Sequence, residues 1–275
     1  VVLAGVRAGR VINENHENIQ RLELDYQDIS KLSDTLAPFS IDLVIHAAGV
    51  TVAGNTSLYY RGNLDTTQAL LDAVKDTKKI ILLSSLAAHG PGKKEKDEPI
   101  SAYGKSKLAA EKCVKGASFS YTIIRPTAVY GPHDQAFLPL LKWAKKGVSI
   151  QLGPASRKLT FIHAYDLCRL IFESIEADEK LVYGWDGKIY TQKELMDALR
   201  AAVSSKRTLK VYIPSWLFLT VCTGIDIILA KFLKLPWAYP PEKVKELIAE
   251  DWSISEKHAP AFPCVHLKEG FSNLI

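Results

Sequence analysis

Lys79-Ile-Ile-Leu-Leu-Ser84, Tyr103-Gly-Lys-Ser-Lys107 and Tyr121-Thr-Ile-Ile-Arg125 lie within one short stretch, and their order decides the fold class. The outer two are brief runs rich in Ile and Leu, the composition of strands buried on both faces. Residues 103–115 between them carry an amphipathic helical pattern. Strand, helix and strand at this spacing predict a right-handed crossover and a parallel sheet. The alternation continues outward. Upstream, strands are expected over 1–7, 21–24 and 42–46, with helices over 29–37 and 58–75. Downstream, a helix is expected over 134–146. The expected fold class is α/β, a doubly wound parallel sheet covered on both faces.

Past Tyr130 the rhythm loosens. Strands read at 159–162 and 180–184, and helices at 164–175, 191–203, 216–232 and 241–250. The expected organisation is a core over 1–131 and a mixed region over 132–275. That second region rejoins the core at about 155–185 and otherwise forms a smaller C-terminal lobe. The lobe is expected at the sheet's C-terminal edge, where open α/β sheets bind ligands.

Of the 275 residues, 47% are hydrophobic and 24% charged, which excludes disordered and collagen-like chains. The net charge of +5 is spread without a basic run, so an anionic small ligand is expected and nucleic acid is not. Cys113, Cys168, Cys222 and Cys264 lie far apart with no CxxC pair. No metal or disulfide framework is expected, and a reducing cytoplasm suits this usage. No signal peptide is read at the start, which is an apolar strand-like run. Residues 216–233 resemble a membrane span but contain Asp226 and Lys231, whereas a crossing needs about 20 nearly uncharged residues. A buried or interface helix is expected there, with a membrane surface or a homodimer as the candidate partners.

Tyr103 and Lys107 stand four apart, on one helical face. A phenol has a reference pKa of about 10, and a neighbouring ammonium favours its ionised form. Lys107 would thereby make Tyr103 a usable acid or base. The preceding strand runs into Ser84, Ser85 and Leu86-Ala-Ala-His-Gly90, placing a hydroxyl at the sheet edge. The following one ends in Arg125-Pro-Thr-Ala-Val-Tyr-Gly-Pro132. Earlier come His46-Ala-Ala-Gly49, small enough for close backbone approach to a ligand, and Asn63 on the next helix.

These pieces in this order resemble the extended short-chain dehydrogenase/reductase family, of epimerase/dehydratase type, with a pattern similar to dihydroflavonol reductases and hydroxysteroid dehydrogenases. Phe161-Ile-His-Ala-Tyr-Asp166 and Leu267-Lys-Glu-Gly270 extend the resemblance over essentially the whole chain. It implies a Rossmann-type core, with Tyr103 as general acid/base and Lys107 on the nicotinamide ribose. Ser85 would be the catalytic hydroxyl, with Ser84 as fallback, and Asn63 would order local backbone or water. Asp25 and Tyr26 would contact adenine, and Ala47, Ala48 and Gly49 would line the adenosine and phosphate region. Pro126, Thr127 and Val129 would lie against the nicotinamide. His89 is expected at the substrate mouth. His46 and His163 read as structural hydrogen-bonders, because no carboxylate partner is evident for either.

The resemblance also requires a Gly-rich turn after the first strand, where backbone amides meet pyrophosphate. Only Gly5 and Gly9 are early enough, and Gly5 stands too close to Asp25 for a helix, a strand and a loop to intervene. The chain is therefore expected to open at the family's second strand, without the first βα unit. Arg7 and Arg10 stand where an acid would favour NAD; a guanidinium suits the 2′-phosphate, so NADP is expected over NAD. The leading functional expectation is a ketone–alcohol oxidoreductase for a hydrophobic small molecule. A nucleotide-sugar epimerase or dehydratase with tightly held NAD is the alternative, with Arg157 as a diphosphate contact. A silent nucleotide-sensing protein on the same fold is the third.

Overall fold

The computed structural model describes residues 2–6, 17–74, 76–93, 96–132, 134, 136–204, 208–229 and 240–273. Its first half alternates as the periodicity requires. The elements are β1 (Val2–Val6), β2 (Ile19–Glu23), α1 (Ile29–Leu36), β3 (Leu43–His46), α2 (Thr56–Tyr60), α3 (Thr66–Ala73) and β4 (Lys79–Leu83). There follow α4 (Leu86–His89), α5 (Ala102–Gly116), β5 (Ser120–Pro126), β6 (Ala128–Tyr130), α6 (Leu138–Lys145) and β7 (Val148–Leu152). The remainder comprises β8 (Lys158–Leu159), β9 (Phe161–His163), α7 (Ala164–Glu173), β10 (Leu181–Gly184), β11 (Tyr190–Thr191), α8 (Gln192–Ala202) and β12 (Leu209–Ile213). Three helices close the described chain: α9 (Ser215–Asp226), α10 (Pro241–Ile248) and α11 (Leu267–Ser272).

The central sheet is parallel in the order β10-β5-β4-β3, with Ile81 opposite Ile45 and Thr122. Successive residues of β4 face opposite layers, as the two-residue period of a strand dictates. Ile80 and Leu82 pack with Leu70, Ala110 and Val114 of α3 and α5, whereas Ile81 packs with Ile124, Ile162 and Leu167 towards α7. Helices thus cover both faces, which is the Rossmann-type, doubly wound arrangement. β1 and β2 form a separate parallel pair, tied to the rest through Leu22, Leu24 and Tyr26 in the α1–α3 core.

The expected single helix over 58–75 is instead α2, a π-helical turn at Arg61–Asp65, and α3. In the lobe, β7 and β12 pair in parallel, and neither strand was read from the sequence. Tyr130, Phe137, Phe161 and Phe271 form the lobe's aromatic core. Gly270 lets α11 lie on Tyr130, since a Cβ there would collide with the phenol ring. The Phe161–Asp166 motif is structural: His163 caps α7 by accepting from Tyr165 N, and Asp166 accepts from Val265 N at 2.8 Å. Lobe and core meet where α10 packs against α5.

Candidate active site

Helix α5 begins where Ser101 caps it, the Ser101 side chain accepting from Gly104 N at 2.9 Å. That start sets the helical phase, turning Tyr103, Ser106, Lys107 and Glu111 inward together. Gly104 gives the first turn its close approach to α4, because a Cβ there would strike the Ala87 carbonyl. Ser85 caps α4, accepting from Ala87 N at 3.1 Å, and its hydroxyl acts on the Tyr103 phenol so as to lower its pKa. Lys107, one turn further on, donates to Leu83 O at 2.6 Å at the end of β4. A Cβ built on Gly49 would lie 3.7 Å from Lys107 Nζ, so the β3 loop passes beside the ammonium. Ser85, Tyr103, Lys107 and Gly49 are thus assembled at the C-terminal edge of β3 and β4.

Asn63, buried in the π-helical turn, holds this edge in place. Its Oδ1 accepts from Val50 N at 2.8 Å, and its Nδ2 donates to Val50 O at 3.0 Å and Ser106 Oγ at 2.9 Å. One amide thus joins the β3 loop to α5. His46, also buried, is hydrogen-bonded to Thr67 at 3.1 Å; burial and the Lys107 charge hold its pKa down at about 3. Asp25 turns back to accept from Gln27 N at 3.0 Å, and the Tyr26 ring stands 6.2 Å from that of His46.

Electrostatics here depart from the expectation that Lys107 lowers the phenol. Burial pushes Tyr103 up to about 12, against the opposing effect of Ser85 and with a further upward contribution from Glu246. Burial brings Lys107 down to about 8, with Glu111 opposing. Desolvation outweighs pairing for both groups. Nor does the phenol stand in an open cleft: Tyr103 is 9% exposed, packed with Ala53, Tyr59 and Ala87, with Lys243 of α10 over its ring.

Two expected substrate contacts are engaged elsewhere. His89 Nδ1 lies 3.3 Å from Asp97 and 3.2 Å from the Tyr183 hydroxyl, inside a buried network. Arg157 donates to the carbonyls of Leu152, Leu247 and Ala249 and to Gln192, so its guanidinium staples the lobe rather than facing a diphosphate. Arg7, expected at the 2′-phosphate, lies outside the described residues.

The network around His89 escaped the sequence reading. Arg125, 1% exposed, makes paired bonds to Glu111 at 2.8 and 2.7 Å and to Asp97 at 2.7 and 2.9 Å. Burial alone would lower the guanidinium; its bonds to Glu111 and Asp97 outweigh that and raise it. Ser84 donates to Glu111 Oε1 at 2.5 Å, linking the network to the residue beside Ser85. Two signals for it were present: a charge inside an apolar strand, and Glu111 standing four and eight residues beyond Lys107 and Tyr103 on one helix face. Also missed were Glu242, which accepts from Ala102 N at 2.8 Å, and Glu246, which accepts from Ser101 Oγ.

The residues fit a nicotinamide dinucleotide. Thr127 Oγ1 is buried without a hydrogen-bond partner among the described residues, beside Pro126 at the end of β5. The Lys107 ammonium, desolvated next to the small-residue β3 loop, is a second group suited to ligand hydroxyls. Of the other residues expected to contact the cofactor, Val129, in β6, is exposed.

Residues 3–185 match the model of the NAD dependent epimerase/dehydratase family. The chain is 28% identical over 223 residues to a ceramide reductase of Caulobacter vibrioides, covering 78% of this chain and 66% of that protein. It is 27% identical over 205 residues to N-acetyl-alpha-D-glucosaminyl-diphospho-ditrans,octacis-undecaprenol 4-epimerase of Escherichia coli O157:H7, covering 70% and 61%. It thus spans about two thirds or less of these curated relatives. In fold it is similar to UDP-glucuronic acid 4-epimerase of Bacillus cereus in complex with NAD, at a TM-score of 0.67 and 20% identity, covering 94% and 80%.

Proposed function

The chain belongs to the NAD dependent epimerase/dehydratase family, a family of NAD-dependent enzymes, and from that premise we propose that it interconverts a ketone and a secondary alcohol on an apolar substrate. A bound nicotinamide supplies the hydride for such chemistry. In reduction Tyr103, kept protonated at neutral pH by burial, would donate its phenolic proton to the substrate oxygen. Ser85 orients phenol and substrate oxygen together. Lys107, cationic below about pH 8, is the group that would hold the nicotinamide ribose hydroxyls. Oxidation runs the same steps backward.

The observation that carries the reading is that Ser85 at the start of α4, Tyr103 in the first turn of α5 and Lys107 one turn further on meet at the same sheet edge. Two features favour an apolar substrate. The phenol is walled by Ala53, Tyr59 and Ala87, and the Arg157 guanidinium is committed within the protein. Two relatives, by name, act on a ceramide and on a diphospho-undecaprenol. We extend the reading to NADP, because Arg7 and Arg10 offer guanidinium groups and no acid precedes Glu14. A cytoplasmic site of action is part of the same reading, from the spacing of the four cysteines.

The test gives the whole protein hydrophobic ketones and nucleotide sugars side by side, each with NADPH and NADH. Turnover of the ketones with NADPH is expected. Tyr103→Phe should lower kcat by ~10²–10⁴-fold, the range for losing a positioned acid, with cofactor Kd unchanged. Turnover confined to nucleotide sugars would replace the proposal with an epimerase or dehydratase.

A further inference from the structure

Helix α9 is apolar on both sides, with Phe218, Leu219, Cys222 and Ile225 on its less exposed face. Its exposed positions are Trp216, Leu217, Thr220 and Val221, and Ile227 and Ile228 just past its end continue the same helical spacing; none carries a charge. Trp216 is 69% exposed and Ile228 55%. Gly224 falls on the same stripe, with nothing within 4 Å of a Cβ built there. Cys222 is buried on the opposite side, and the helix's one acid, Asp226, lies off the stripe. An amphipathic surface helix ordinarily shows water its polar face.

The stripe has a basic border. Strand β12, joined to α9 through Pro214, exposes Lys210 and Tyr212. Leu209 N donates to Gly147 O at 2.7 Å, which brings exposed Lys145 and Lys146 beside the start of that strand. Lys145 and Lys210 make no ion pair among the described residues. A two-fold homodimer through this patch would set the same border against itself, lysine against lysine. An anionic bilayer surface presents the complementary charge, and Trp and Tyr are the side chains that favour its interface. The 12 residues of α9 span ~18 Å, well short of the ~30 Å hydrocarbon core. No helix among the described residues is long and apolar enough to cross a membrane.

We propose that the β12–α9 face docks on an anionic membrane surface, with α9 lying in the plane of the interface. The proposal does not depend on the identity of the substrate. The test is flotation of the whole protein with vesicles of phosphatidylcholine alone and of phosphatidylcholine and phosphatidylglycerol in equal parts. Flotation with the anionic vesicles, weakened by salt and lost in Trp216→Glu/Val221→Glu, is the expected result. A second variant guards against misfolding: Lys145→Gln/Lys210→Gln should weaken partition by about fivefold per lysine, the ~1 kcal/mol each contributes at such a surface. Protein remaining in the aqueous fraction with both vesicles would overturn the proposal. So would unchanged partition in the lysine variant. A dimer by light scattering that fails to float, and that Val221→Glu converts to monomer, would assign the face to a second copy instead.

Discussion

Strand β5 and helix α9 depart from the usual distribution of residue types in opposite directions. β5 takes a guanidinium into the centre of the sheet and satisfies it with two carboxylates, a hydroxyl and a neighbouring ring. α9 holds a tryptophan, a leucine and a valine out towards solvent, and two isoleucines just past its end do the same. The first departure costs desolvation and is offset by bonds with directions, so it fixes the position of the Ser84–Ser85 segment. The second is directionless, and its apolar area is left exposed among the described residues. A fixed polar network and an exposed apolar face thus occur in one chain, in regions built on different physics.

Three substitutions sharpen this contrast. Glu111→Ala would leave Arg125 buried with half its partners, and denaturant unfolding should show a loss of about 3–5 kcal/mol, as for other broken buried pairs. A loss near zero would mean that the network relaxes and fixes nothing. Gly104→Ala should cost about 1–3 kcal/mol through overpacking against Ala87, and should lower kcat as Tyr103 is pushed from Ser85. Val221→Ser, on the outer face of α9, should change stability by no more than about 0.5 kcal/mol, the usual range for surface positions. A larger loss would show that this face is already packed within the monomer.

Sequence alone made the core legible because its cues are local. The runs at 79–84 and 121–125 match β4 and β5 closely, and Tyr103 and Lys107 share a helix face because Ser101 starts the helix beside them. What stayed hidden depends on partners distant in the chain. Arg157 reads as an available cation until Leu247 and Ala249 deliver their carbonyls to it. His89 reads as a substrate contact until Asp97 and Tyr183 meet its ring. The π-helical turn that aims Asn63 has no residue signature, and β7 and β12 are short strands whose pairing is with each other rather than with the central sheet. The pKa of Tyr103 escaped for a related reason: the neighbouring lysine is visible in the sequence, but the burial that overrides it is not.

The capping of α5 by α10 also bears on how the protein is made. Ser101 meets Glu246 across 145 residues of chain, and Ala102 meets Glu242 across 140. Contacts of such range carry the loop-closure entropy that slows folding. During synthesis the sheet can assemble as its strands emerge, whereas the first turn of α5 waits for residues 242–246. Until they arrive the helix bearing Tyr103 starts on a backbone amide without its carboxylate. Tyr103 therefore reaches its finished surroundings only after residues 242–246 have been made, and a chain stopped before α10 would carry the Tyr103–Lys107 pair without the helix that encloses it.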